Sequence, residues 1–198
     1  MIGYLPRYTQ SILDYRYALD AAMVSLYRFD AVLVRCHKAS LQAEVSQRLL
    51  AKEGRNGGMA GLWIEPLVAT WEKDLQEFQS SLSRGSLLVI IASRPLARLL
   101  PVADHTTPSM GMTVGGMRRL RQGLQKADFC VESCYGVHTL NSIVWNQAGL
   151  WASRWHRPDI GDRLQFAARL RYHATGRSAF LSTLALLFAY KGEGACRR

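Results

Sequence analysis

The apolar positions of this chain fall into short continuous runs separated by stretches of helical spacing, the pattern of strands covered on both faces and joined by helices. FDAVLV (Phe29 to Val34) is rich in Val and too short for a helix, and it reads as a central strand. GSLLVIIAS (Gly85 to Ser93), ADFCVESCYG (Ala127 to Gly136) and LALLFAYKG (Leu184 to Gly192) read as further strands. Between them, Lys38 to Lys52 places Leu41, Val45, Leu49 and Leu50 at helical spacing. Glu65 to Ser83 does the same with Leu67, Val68, Trp71, Leu75, Phe78 and Leu82, and Gly116 to Lys126 makes a short basic helix. Thr9 to Tyr27 stays open between a helix, with Ile12, Leu13, Leu19, Ala22, Met23 and Leu26 on one face, and a short strand at Tyr15 to Leu19. GRNGGMAG (Gly54 to Gly61) and Ala103 to Met112 read as loops. Strands alternating with helices predict parallel crossovers, and so an α/β fold: an open, mostly parallel twisted sheet with helices on both faces.

A length of 198 residues at 48% hydrophobic composition suits one well-buried core. The expectation is a single domain over 1–198 carrying a basic, aromatic insertion at about 140–182. That insertion holds Trp145, Trp151, Trp155, Phe166 and Tyr172 among Arg154, Arg157, Arg163, Arg169, Arg171 and Arg177. The formal charge of +10 favours an acidic partner such as nucleic acid, an anionic membrane or an acidic protein, although the basic residues are scattered rather than gathered in one run. Cys36, Cys130, Cys134 and Cys196 form no CxxC pair, so reduced thiols in a cytoplasmic protein are expected, with Cys130 and Cys134 on one strand face. No run of about 18 apolar residues predicts a membrane span. No His/Cys spacing predicts a metal site, and no GxSxG elbow predicts a serine hydrolase.

The order of the pieces resembles the class I S-adenosylmethionine-dependent methyltransferase family over roughly Ala18 to Gly192. The motifs are YRFDAVLV, the RGSLLVIIAS strand, LRQGLQKADFCVESCYG with Ala127, Asp128 and Phe129 where the family has AGF, and LALLFAYKG as its final antiparallel strand. The resemblance implies a Rossmann-like methyltransferase fold lacking its first strand, with the last strand antiparallel. It also implies that MIGYLP (Met1 to Pro6) is the family's second strand, and that Asp20 and Ala21 contact the cofactor adenine. From the residues alone, Asp20 reads equally well as a solvated position on an amphipathic helix. No carboxylate stands near Leu5, where the family binds the ribose, and the GxGxG turn is missing, because the glycines at 54–61 and 111–116 follow the FDAV strand. S-adenosylmethionine is therefore the family's cofactor but is expected to bind this chain poorly or not at all. The expected function is that of a truncated or degenerate methyltransferase with an unidentified methyl acceptor. The alternative is a non-catalytic interaction protein on the same scaffold. Loss of the first strand would leave FDAVLV with an open apolar edge, which predicts either a homodimer through that edge or cover from 1–27.

Two groups of residues are candidates for substrate or partner contact. Arg35, His37 and Lys38 follow the FDAV strand at its carboxyl end, where open α/β sheets hold ligands, and would face an anionic group with His37 as a general base. The same cluster also reads as a solvated helix start. Trp151, Arg154 and Trp155 would stack bases and hold phosphate, or form a substrate lid, while Trp145, Trp151 and Trp155 read more simply as core or interface anchors.

Overall fold

The computed structural model of the chain describes residues 11–50, 58–99, 109–175 and 181–192. Helix α1 (Ser11–Leu26) precedes strand β1 (Ala31–Cys36), helix α2 (Ala39–Leu50), strand β2 (Met59–Ile64), helix α3 (Trp71–Ser81) and strand β3 (Leu87–Ser93). Helix α4 (Gly116–Lys126), strand β4 (Phe129–Thr139), helices α5 (Leu140–Arg154) and α6 (Pro158–Leu170), the short strand β5 (His173–Ala174) and strand β6 (Ser182–Lys191) follow. The six strands form one open sheet in the order β1-β2-β3-β6-β4-β5. Strands β1, β2 and β3 are parallel neighbours. Strand β6 is antiparallel to both β3 and β4, and β5 is antiparallel to β4. Strands β1 to β4 therefore all run one way, and the last strand runs against them.

Both faces are covered. On one, α1 buries Tyr15, Ala18, Leu19, Ala22, Met23 and Leu26, and α2 adds Leu41 and Val45, over Leu62, Ile64, Val89 and Ile91 of the sheet. Those α1 positions recur at three- and four-residue steps, which is why the ambiguous Thr9 to Tyr27 stretch resolves as a helix. Each fully buried side chain such as Leu19 or Met23 contributes about 1.5–3 kcal/mol. On the other face, Leu75, Phe78 and Leu82 of the α3 segment and Leu120 and Leu124 of α4 pack on Trp63, Leu88, Ile90 and Leu187.

Several sequence expectations are corrected. FDAVLV is not central: β1 is the outermost strand among the described residues, Ala31 is exposed and the rest of the strand half-buried. The strand beside it, Met59–Ile64, lies where a glycine loop and a helix start were expected. Gly61 disguises it, for a Cβ there would press on Leu88 Cδ1 at 2.7 Å and on Phe78 at 3.0 Å, so the strand needs a glycine where α3 crosses it. The helix expected over Glu65 to Ser83 is accordingly confined to Trp71–Ser81. Cys130 and Cys134 do not share a face, because a β-bulge between Val131 and Ser133 breaks the alternation of β4. The expectation of reduced thiols fails at Cys130, which is disulfide-bonded, whereas Cys36 and Cys134 are free thiols. The MIGYLP reading falls outside the described residues.

Candidate functional site: the carboxyl edge of the parallel strands

Helix α2 packs on one face and α3 on the other, although the chain steps in the same direction from β1 to β2 to β3. The two crossovers are thus of opposite hand, and one is of the rare left-handed kind. Open α/β sheets take ligands in a crevice outside the carboxyl ends of their strands, and that position in this chain is filled by its own side chains. The residues gathered there are Cys36 and His37 after β1, Glu65 after β2, and Ser93 and Arg94 at the end of β3.

Glu65 organises this edge. It is buried and takes a left-handed backbone (φ 59°), a conformation rare for a residue with a side chain. Its carboxylate accepts hydrogen bonds from the Ser93 amide, at 3.1 and 3.3 Å to the two oxygens, and from Ser93 Oγ at 2.8 Å. The Tyr15 hydroxyl of α1 donates to the same carboxylate and lies 2.5 Å from Ser93 Oγ. Lys38 Nζ lies 5.6 Å from the Tyr15 ring centroid, a cation–π contact on the outer side of this network. Helix α1 is thereby fastened across the crevice by a buried tyrosine.

The neighbouring charges are likewise turned inward upon the protein. His37 Nε2 lies 2.7 Å from Asp74 Oδ2 of α3, which also accepts from Thr70 Oγ1 at 3.1 Å. Arg35 clasps Glu77 of α3 with two nitrogens, Nε at 2.8 Å. Burial pushes the Cys36 thiol pKa up and the charge of Glu65 adds to this, against a smaller lowering by the Lys38 backbone. Arg94 is buried with its guanidinium 3.6 Å from Cys134 Sγ, and burial pulls its pKa below the usual arginine value. At the end of β4, His138 repeats the left-handed backbone (φ 56°), stacks on Tyr172 and places Nδ1 3.2 Å from Thr183 Oγ1. Among the described residues no group of three or more His, Cys, Asp or Glu is arranged to hold a metal ion.

The residues singled out from the sequence are distributed as follows. Arg35, His37 and Lys38 do reach the crevice, but each engages a protein partner. Asp20 is exposed and paired with Arg48 of α2, while Ala21 lines a separate groove of 420 Å³ between α1 and the face of β4 and β6. Trp151 and Arg154 lie on α5 and Trp155 caps its C-terminus, and all three are exposed. Tyr15, Glu65, Ser93 and His138 were missed. Glu65 carried one signal, a carboxylate and proline closing the apolar run GLWI, but the expected helix absorbed it.

The arrangement defines an open α/β protein whose carboxyl edge is closed by a buried polar network. No protein-family model matches the chain, and no curated protein does. Among solved structures, the chain is similar to a protein assigned as a sarcosine dimethylglycine methyltransferase from Galdieria sulphuraria, at 8% identity and a TM-score of 0.42, over 92% of this chain and 85% of that one. It is similar to the [4+2]-cyclase SpnF at 16% identity and a TM-score of 0.39, over 92% of this chain and 72% of that one. Neither likeness is strong enough to assign a chemistry to this chain.

Proposed function

We propose that this chain is a degenerate methyltransferase-like protein that no longer holds S-adenosylmethionine and acts by binding a partner. The observation that carries the proposal is the Tyr15–Glu65–Ser93 network, which occupies the crevice where an open α/β sheet would take its ligand. Two features support it. The turn after β1 reads Cys36, His37, Lys38, Ala39, with no glycine through which a backbone approaches a cofactor. The reversed final strand that the resemblance implies lies between β3 and β4, in keeping with a retained scaffold.

Isothermal titration of the 198-residue chain with S-adenosylmethionine, and separately with its demethylated product, is expected to give no saturable heat at protein concentrations of tens of micromolar. Binding in the micromolar range would overturn the proposal and return the chain to the methyl-transferring enzymes. On the proposed reading the working surface lies outside the crevice, and the basic, aromatic helices α5 and α6 are the surface for an acidic partner.

A further inference from the structure

The groove between α1 and the face of β4 and β6 joins aromatic walls to a single carboxylate. Tyr17, Ala21 and Ser25 recur at four-residue steps and so share one side of α1. The small side chains of Ala21 and Ser25 leave open a space of 420 Å³, within the roughly 300–1,000 Å³ of small-molecule sites. Tyr135 of β4 and Phe188 of β6 also line it, their rings at 86° with centroids 5.9 Å apart, so that they make a corner rather than a flat stack. Tyr17 is held by an edge contact with Tyr172, centroids 4.8 Å apart, and by its hydrogen bond to His173. All three rings pack against the buried core, which sets their positions before any ligand arrives. The groove reaches away from the crevice: Tyr190, which lines it, pairs with Leu87 at the start of β3, whereas Ser93 at the end of β3 pairs with Leu184.

Glu132 is the extra residue at the β-bulge of β4, where the register passes from Val131 opposite Ala189 to Ser133 opposite Phe188. Successive strand side chains point to opposite faces, yet Glu132 and Ser133 both line the groove. The bulge thus sets a carboxylate beside the aromatic corner. Glu132 forms no ion pair among the described residues, unlike Glu44 and Glu77. No lysine or arginine among the described residues lines the groove, although the chain has a formal charge of +10. Arg28 meets it at one end, where Nη2 donates to the Tyr190 hydroxyl at 2.9 Å. These features select a cation. An anion meets the like charge of Glu132 and no matching positive side chain in the lining. A primary ammonium is strongly hydrated, and aromatic walls replace little of that hydration. A methylated ammonium spreads its charge over methyl groups that pack on ring faces, and aromatic walls hold such cations. We propose that this groove binds a methylated ammonium group, with the rings of Tyr17, Tyr135 and Phe188 against the methyls and the Glu132 carboxylate as counter-charge.

The proposal goes beyond the reading of the crevice and does not rest on it. Isothermal titration of the full chain tests it with choline, with ammonium chloride, and with the neutral analogue in which carbon replaces the choline nitrogen. A peptide carrying N-trimethyl-lysine is a further arm, which separates a free small molecule from a protein side chain as the source of the group. The expected result is saturable binding of choline or of the peptide, about tenfold or more tighter than binding of ammonium or of the neutral analogue. Glu132→Gln changes an exposed position and is expected to keep the circular dichroism spectrum while weakening binding about tenfold. Phe188→Leu removes a ring but keeps an apolar side chain, and is expected to weaken binding of the cation and not of the neutral analogue. The proposal is overturned if neither choline nor the peptide binds at about 10 mM, or if the neutral analogue binds as tightly as choline. It is overturned too if Glu132→Gln leaves the affinity unchanged.

Discussion

Replacing Tyr15 by Phe removes one oxygen atom and leaves the ring in place. In the folded chain that oxygen donates to Glu65 and lies beside Ser93 Oγ, and Tyr15, Glu65 and Ser93 are all buried at 3–6% exposure. Water cannot readily replace the lost donor. Glu65 keeps the Ser93 amide and hydroxyl, so the loss is that of one hydrogen bond to an acidic group rather than of the whole network. Such a bond is worth about 1.5–3 kcal/mol, and the surviving donors place the expected loss near 2 kcal/mol. For a domain of this size that corresponds to a fall in Tm of about 4–8 °C.

Equilibrium urea unfolding of the wild type and Tyr15→Phe measures the loss, with Tyr17→Phe as the matched control. The Tyr17 hydroxyl is hydrogen-bonded to the exposed His173 Nδ1 at 3.2 Å on the rim of the groove, and its removal is expected to change stability by less than about 0.5 kcal/mol. A double-mutant cycle with Ser93→Ala should show a coupling of about 1 kcal/mol, because both hydroxyls serve the same carboxylate. If Tyr15→Phe costs no more than Tyr17→Phe, the network does not fasten α1 across the crevice, and the proposal of a closed site loses its support.

Gly111 sits in a short 3-10 turn, Met110–Met112, where an added Cβ would collide with the Ser93 backbone carbonyl, so Gly111→Ala is expected to cost at least the upper part of about 1–3 kcal/mol in the same unfolding assay. A cost below about 0.5 kcal/mol would show that this turn does not rest on the end of β3. Glu44 of α2 lies between Arg16 and Arg48; burial alone would raise its pKa, but the two guanidinium groups outweigh it and hold the carboxyl below its usual value. A depressed folded-state pKa contributes stability that is present above the unfolded value near pH 4 and is lost as pH falls through the lower folded value. The difference between wild type and Glu44→Gln in urea midpoint should therefore be largest near pH 7 and shrink towards pH 3; a difference independent of pH would refute the assignment.

The physical reason some elements were legible and others not lies in what each residue's role depends on. Helix α4 emerges as Gly116–Lys126, the boundaries expected, because its apolar and basic positions separate cleanly and Gly115 in a left-handed conformation starts it. Strand β3 is buried at every position, and a continuous apolar run states as much. Strand β2 was hidden because its most telling residue, Gly61, is a glycine on account of Phe78 and Leu88, neighbours distant in sequence. FDAVLV looked central because apolarity records the presence of cover but not its side: α1 and α2 cover one face of β1, and the sheet ends there among the described residues.

The site was less legible than the fold for a related reason. His37 and Arg35 were picked out as chemistry-bearing types at the carboxyl end of a strand, and the structure does put them there; what the sequence does not carry is that Asp74 and Glu77 lie opposite them on α3. A cluster of unsatisfied charges at such an edge would be poised for a ligand, whereas charges already matched by their own chain hold the edge shut. The aromatic insertion shows the converse. Trp151 and Trp155 at a spacing of four read as anchors of a core because buried tryptophans are large and stabilising. Their exposure follows from Gly149, Gly161 and Ser153, which let α5 and α6 approach so closely through their small faces that the large side chains have no room between them. In this chain the glycines, more than the aromatics, decide which surface of the helix pair faces outward.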